Sequence, residues 1–383
     1  MVMIINQMSQ FWKDQAVAHE LDQDNTSSRK IKQLVQAKQQ VLLPVGMNLH
    51  WSTINTQNDA ELEEVFRFLS DNYLSSDQFK MVYPKQFLTS SLNPPNHHPD
   101  LNLGLRDHHG GLVGFIHGQL VGMVIMDEPI TTSLINYLCI DKRYRDRLLA
   151  PLMIKEITRR VVNHGVQFGF FTATRPSYPP FSRAGYYHRI LNFKKAYGVG
   201  FCSVDKPENL DRFHKFFSVP PADGTVTGLS RMVESDVDHV TVLLNSWNSR
   251  YKLFQQLSTT DVKHLLLDHY GIDCWVTRDQ DGKPTDLVSV YYVDNQHLST
   301  GTVLHDAYLL YYTCHQTAPD ELFTKLIQTV RSVDVVNMLN IMEAEKIIAG
   351  DPKFMVGDGE LGYYMFNYRI GWMDPSENGQ PVV

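Results

Sequence analysis

At 383 residues the chain is longer than one hydrophobic core usually organises, and its 43% hydrophobic content is ordinary for a two-domain globular protein. A formal charge of −7, from 35 Lys and Arg against 42 Asp and Glu, argues against a nucleic-acid partner. No basic leader runs into a sustained apolar stretch, so stable membrane insertion is not expected.

After an arm rich in loops, residues 60–75 carry apolar side chains at helical spacing. The apolar run at 110–126 is broken by glycines, His117 and Gln119, and reads as a hairpin turning at 117–119 (HGQ). Residues 134–140 (LINYLCI) form a β-favouring run too short for a core helix, and 167–174 (QFGFFTAT) is its aromatic counterpart. Between these two buried strands, Pro151 suits a first helical position, Ile154, Ile157 and Val161 recur at helical spacing, and Gly165 is a stop signal. A helix over 151–164 follows. A turn-rich segment at 218–228 then introduces a second α/β series. It comprises a helix near 235–246, strands near 273–277, 286–293 and 303–313, and a helix near 319–331.

Positive charge is concentrated ahead of the 151–164 helix. Residues 141–160 hold seven Lys/Arg against three Asp/Glu, a local excess of four in a chain that is acidic overall. Free amides at a helix N-terminus, the positive end of the helix dipole and flanking arginines together suit an anion such as a pyrophosphate. A solvated basic face on a crossover helix has the same composition, and charge alone does not separate the two. Cys139, Cys202, Cys274 and Cys314 lack metal-ligand spacing, as do the sixteen histidines. Reduced thiols, a cytoplasmic location and no metal are therefore expected.

The wording of the segment is more specific. NYLCIDKRYRDRLLAPLMIKEITRRV (136–161) resembles the cofactor-binding signature of the eukaryotic N-myristoyltransferases, a branch of the acetyltransferase-like acyl-CoA enzymes. QFWKDQAV (10–17), FKMVYPKQFLTSSLNPP (79–95), GYYHRILNFKKAYGVGF (185–201) and KFMVGDGELGYYMFNY (353–368) are similar to four further motifs of that family, in the same order. The resemblance implies an α/β (α+β) fold of two tandem acetyltransferase-like (GNAT) halves. It places an acyl-CoA-binding half at 1–215 and a peptide-binding half at 216–383. The implied activity moves myristate from myristoyl-CoA to the amino-terminal glycine amine of a protein or peptide, releasing CoA, in a monomeric enzyme.

Acyl transfer to an amine makes three demands. Fixed donors must meet the oxyanion of the tetrahedral stage, and the resemblance assigns the amides of Tyr137 and Leu138. A base must free the amine, whose unperturbed pKa of about 7.7–8.0 leaves it mostly protonated at neutral pH; the carboxylate of Val383 is the implied acceptor. Polar groups must select the glycine, and Asn136, Thr172 and His188, with Tyr186 nearby, match the positions that do so. By the same carry-over, myristoyl-CoA is held by Gln10, Phe11 and Trp12, by Tyr137, Leu138, Cys139 and Ile140, and by Arg145, Asp146, Arg147, Leu148, Ala150 and Pro151. The peptide groove falls to Phe79, Tyr83, Phe201, Tyr291, Tyr308, Asp358 and Leu361. Asp358, between Gly357 and Gly359, is expected on a tight turn.

Six positions depart from the family pattern: Leu148 stands where a basic residue is usual, Phe171 where a tyrosine is, Thr174 where a glycine is, Asn295 where a serine is, and Ser90 with Ser91 where a bulkier pair is. The basic turn is shared across the wider superfamily. Another acyl length, another amine, or a non-catalytic protein that binds acyl-CoA or peptide therefore remain alternatives.

Overall fold

The computed structural model describes residues 10–20, 28–74, 76, 78–174, 178–219 and 228–382. Val383 and most of the turn-rich segment at 218–228 lie outside them. The strands are β1 (Ser28–Lys30), β2 (His50–Thr53), β3 (Phe79–Val82), β4 (Asn102–Arg106), β5 (Leu112–Ile125), β6 (Glu128–Ile140), β7 (Gly169–Ala173) and β8 (Ser182–Ile190), followed by β9 (Ser230–Arg231), β10 (Leu253–Gln255), β11 (Ile272–Arg278), β12 (Pro284–His297), β13 (Val303–Thr313), β14 (Val335–Leu339), β15 (Phe354–Phe366) and β16 (Tyr368–Ile370). All but β1 and β16 join one mixed sheet. Its path runs β2-β4-β5-β6-β7-β15-β8-β14-β13-β12-β11-β9, with β10 on β5 and β3 on β12. Two tandem α/β units thus share a single sheet, the mixed α/β architecture that the sequence implies.

Helices cover the faces because their apolar stripes require it. Helix Leu149–Asn163 turns Met153, Ile157 and Val161 into a core with Leu103, Leu105, Val113 and Ile116 of β4 and β5. Helix Asp59–Asn72 starts at an Asn58 side chain that accepts from the Ala60 and Glu61 amides, and buries Leu62, Val65, Phe68 and Leu69. Helices Val237–Asn248 and Pro319–Thr329 do the same for the second unit, each within a few residues of its sequence expectation.

The hairpin expected at 117–119 is not there. β5 runs straight through HGQ, and the chain reverses at Met126 and Asp127, both at positive φ (50° and 66°), the backbone of a tight two-residue hairpin turn. His117 is tolerated mid-strand because its Nδ1 lies 2.6 Å from Oδ1 of Asn102, one strand away. Gly118 is tolerated because it packs against Ser133 and Ile135 of β6.

Between β6 and β7 the sheet opens. The two strands are parallel and pair only at Ser133↔Gly169 and Leu134↔Phe170. Beyond that, β6 keeps its partner β5 while β7 turns to β15, with Thr172 opposite Tyr363. Asn136 and Thr172 stand on the diverging stretches.

Candidate acyl-transfer site

β6 is irregular at the mouth of this gap. Phe115 faces Cys139 and His117 faces Asn136, so Tyr137 and Leu138 together oppose Ile116 alone. Tyr137 has φ +57°, a left-handed conformation that a bulky residue adopts only under constraint. Such a bulge re-aims the peptide groups that follow it. Helix Leu149–Asn163 begins close by. Its N-cap Leu148 is left-handed (φ +58°) and offers no side-chain cap, so the first-turn amides have no partner from it. Within the basic turn, Arg143 is spent on Asp141 at 2.7 Å. Arg145 donates to main-chain carbonyls, to Asn72 at 2.6 Å and to Ile140 at 3.2 Å, and among the described residues no carboxylate neutralises its charge.

A cavity of about 1110 Å³ fills the gap. One end lies under the helix and is apolar, walled by Ile116, Ile135, Ile157, Val161, Val166 and Phe168. The mouth is formed by Arg145, Asp146, Leu148, Ala150 and Pro151. The far end is aromatic and polar, with Phe79, Tyr83, Tyr186, His188, Phe201, Tyr291, Asn295, Tyr308 and Leu361. Asn136, Tyr137, Leu138, Cys139, Ile140 and Thr172 lie between the two ends. Trp12 closes one side, stacked on Phe171 with ring centroids 6.0 Å apart.

The aromatics pack as a wall rather than as scattered core residues. Tyr291 and Tyr308 stack at 5.0 Å, Tyr83 meets Tyr137 edge-on at 6.1 Å, and Phe201 meets Phe79 at 6.4 Å and His188 at 5.2 Å. Burial pushes the Tyr137 and Tyr186 phenols up to about 12, and Tyr83, Tyr291 and Tyr308 well above the usual tyrosine range, so all stay neutral donors. Burial also holds His188 below the usual imidazole value. Its Nδ1 lies 2.6 Å from Oδ1 of Asn337, which can only accept; the ring therefore carries its hydrogen on Nδ1.

Four anticipated residues fall outside the cavity wall. Gln10 is exposed, and Phe11 packs on Trp12 at 4.9 Å with the Lys155 ammonium over its ring. Arg147 lies over the Tyr144 ring at 5.2 Å. Asp358 is exposed and does not line the cavity, although neighbouring Gly359 does. The tight turn expected at 357–359 is instead an irregularity within β15, between Val356 and Glu360. Its glycines are required by proximity, since a Cβ on Gly357 would sit 2.3 Å from Nε2 of His188. Val383 lies outside the described residues, but Val382 lines this cavity and also an adjoining one of about 100 Å³ shared with Asn136, Tyr137 and Thr172. The segment leading there is pinned by the Gly379 amide on the Leu253 carbonyl (2.7 Å).

Sequence reasoning missed Tyr73, which packs on Tyr137 at 5.8 Å, as well as Asn337 and Asp306 behind the polar end. The last two left one signal, a polar residue amid apolar neighbours in VVNML and VLHDAYLLYYT.

A strand pair splayed beneath a crossover helix, a basic turn at its mouth and a deep apolar recess define an acyl-thioester-binding protein of the acyltransferase-like α/β class. The comparisons are narrower. Residues 28–183 match the N-terminal domain and residues 198–381 the C-terminal domain described for myristoyl-CoA:protein N-myristoyltransferase. The glycylpeptide N-tetradecanoyltransferase of Drosophila melanogaster is 32% identical over 377 residues, covering 96% of this chain and 79% of that protein. Glycylpeptide N-tetradecanoyltransferase 1 of Arabidopsis thaliana is 33% identical over 343 residues, covering 86% and 78%. Saccharomyces cerevisiae N-myristoyltransferase, solved with bound myristoyl-CoA, superposes with a TM-score of 0.89 at 26% identity, over 98% of this chain and 99% of that one. The chain belongs to the myristoyl-CoA:protein N-myristoyltransferase family.

Proposed function

We propose that the chain is a glycylpeptide N-tetradecanoyltransferase, passing myristate from myristoyl-CoA to the amino-terminal glycine amine of a protein or peptide. The observation that carries this reading is the bulge at Tyr137 in the mouth of the β6–β7 gap, with an apolar recess on one side and a polar aromatic chamber on the other. The acyl tail occupies the recess beneath helix Leu149–Asn163, and the CoA phosphates meet the first-turn amides and Arg145 at its start. Trp12, with Gln10 and Phe11 ahead of it, closes over the donor.

The acceptor enters from the aromatic side, its glycine amine against Asn136 and Thr172. A proton passes from the ammonium to the Val383 carboxylate, for which the position of Val382 in the cavity wall is the support. A carboxylate with a free pKa of about 3.5 is a weak base, and burial beside the ammonium favours the exchange. The amine then forms the new C–N bond, the amides of Tyr137 and Leu138 hold the oxyanion, and the C–S bond breaks. CoA leaves as a thiolate and takes up a proton. No metal enters this scheme. Among the described residues no helix is long and apolar enough to cross a membrane, and we place the protein in the cytoplasm as a monomer.

The test is transfer of labelled myristate to a glycine-initiated peptide but not to its alanine-initiated twin, with palmitoyl-CoA and acetyl-CoA as donor controls. Appending one residue after Val383 is expected to lower kcat about 100-fold or more, the usual weight of a positioned base. Turnover kept at the original rate would remove the terminal carboxylate from the mechanism.

A further inference from the structure

Four adjacent strands carry a polar row across the face that forms the acceptor end of the cavity. Asn337 of β14 stands opposite His188 of β8 and Tyr308 of β13; Asp306 of β13 stands opposite Val293 of β12, two residues before Asn295. Residues opposite each other, or two apart along a strand, project from one face, so these side chains share it. They are also bonded. Nδ1 of His188 donates to Oδ1 of Asn337 at 2.6 Å, Nδ2 of Asn337 donates to Oδ2 of Asp306 at 3.2 Å, and Nδ2 of Asn295 donates to the same oxygen at 2.6 Å. Asp306 is 1% exposed, and its other oxygen has no hydrogen-bond partner among the described residues.

The direction of this chain is set at the aspartate. Asp306 presents an acceptor to both asparagines, so each amide turns its NH2 inward, and Asn337 has only its carbonyl left for His188. The imidazole must then donate from Nδ1, and its lone pair is fixed on Nε2. That nitrogen lies against Gly357, where the missing side chain leaves it approachable.

We propose that Asp306 is a positioning residue for the acceptor side of the reaction: through Asn337 it holds His188 in the Nδ1–H form, so that Nε2 meets a hydrogen-bond donor on the incoming peptide as an acceptor. The inference rests on the reading that the peptide passes His188. The charged and titratable groups around Asp306 are Asp294, hydrogen-bonded to His305 at 2.7 Å, Asp334, ion-paired with Lys195 at 2.5 Å, the neutral Tyr308 phenol and His188 itself. None of these is a cation bonded to Asp306. Burial, with Asp334 and Asp294 adding to it, pushes its carboxyl up to about 7 against the pull of the two asparagines. The carboxylate therefore gains its charge near neutrality and grips the amides harder as it does so.

The experiment measures steady-state constants for a glycine-initiated peptide from pH 6 to 8, with myristoyl-CoA saturating. In the wild type, peptide KM is expected to fall about fivefold as Asp306 ionises, the worth of one hydrogen bond becoming charge-assisted. Asp306→Asn keeps the accepting oxygen and loses the titration. It should hold the pH 6 value of peptide KM throughout, with KM for myristoyl-CoA unchanged. Asp306→Leu should raise peptide KM about tenfold at every pH, and nitrogen-15 NMR of the His188 ring should show loss of the pure Nδ1–H tautomer. His188→Ala separates the two levels. If it raises peptide KM while Asp306→Asn keeps the wild-type profile, the role of Asp306 is overturned and the reading of His188 stands. If it leaves peptide KM unaltered, both fall.

Discussion

The contact between Gly357 and His188 allows one substitution to be worked through. In Gly357→Ala the new Cβ would lie 2.3 Å from Nε2 of His188, 3.0 Å from its Cδ2 and 3.1 Å from the Tyr186 carbonyl oxygen. The first separation is roughly 1 Å short of an ordinary carbon–nitrogen contact, so something must move. The Tyr186 carbonyl belongs to β8, held between β15 and β14, and a shift there would disturb two ladders. The imidazole is the softer partner, and swinging it away breaks the 2.6 Å bond to Asn337. Leaving a buried donor and acceptor unpaired costs about 1–3 kcal/mol. If the whole loss appears in peptide binding, peptide KM rises roughly 5- to 150-fold. The donor half of the cavity is untouched, so KM for myristoyl-CoA should stay within about twofold. Steady-state kinetics with each substrate varied in turn, beside a thermal melt, decides the matter. A lowered Tm with unaltered peptide KM would mean that the strand absorbs the methyl group and that His188 does not face the peptide.

Two further outcomes follow from buried carboxylates. Asp286 is fully buried and accepts from the amides of His315, Gln316 (3.0 Å) and Thr317 (2.9 Å) and from the hydroxyls of Thr317 (2.8 Å) and Thr277 (3.3 Å). Asp286→Ala strands these donors and should lower stability by about 3–5 kcal/mol in urea titrations, with both KM values unchanged in the folded fraction. Asp306 acts in the opposite sense. Because its folded pKa, about 7, lies above the ordinary 3.8, there is no penalty below pH 4; stability then falls as pH rises towards 7 and stays lower above it. Asp306→Asn should match the wild type near pH 4 and exceed it by up to about 4 kcal/mol at pH 8, as expected for a carboxyl that burial moves from 3.8 to about 7. Parallel stability curves for the two proteins across that range would contradict this.

What was legible in the sequence was local. Apolar periodicity located helix Leu149–Asn163 to within two residues at each end, and β13 at its observed bounds. A hairpin at 117–119 is expected because Gly118 interrupts an apolar run, whereas the observed turn pairs Asp127, a turn former, with Met126, which is not one, so its signal is the weaker. Insertion of β15 between β7 and β8 is a pairing across more than 160 residues, and no window of sequence records it. In the site, most lining residues came from motif resemblance rather than from chemistry visible in the chain. The row from His188 to Asn295 could not be traced because each member sits on a different strand and only register brings them together.

The same logic explains why the gap between β6 and β7 persists. Two parallel strands that had begun to pair at Ser133 and Leu134 would ordinarily continue, since each further residue adds ladder hydrogen bonds. Here the left-handed residue at Tyr137 throws β6 out of register just past that point, while β7 has a competing partner in β15, with five registered pairs from Gly362 to Phe366. Forcing closure would break the β7–β15 ladder and collapse a cavity whose wall includes Asn136, Leu138 and Thr172. Backbone strain at Tyr137 is therefore maintained by packing on both sides, with the Tyr73 and Tyr83 rings against its own. An open gap needs no lid or ligand to hold it apart, and the donor and acceptor ends of the cavity meet at the residue whose backbone conformation keeps them distinct.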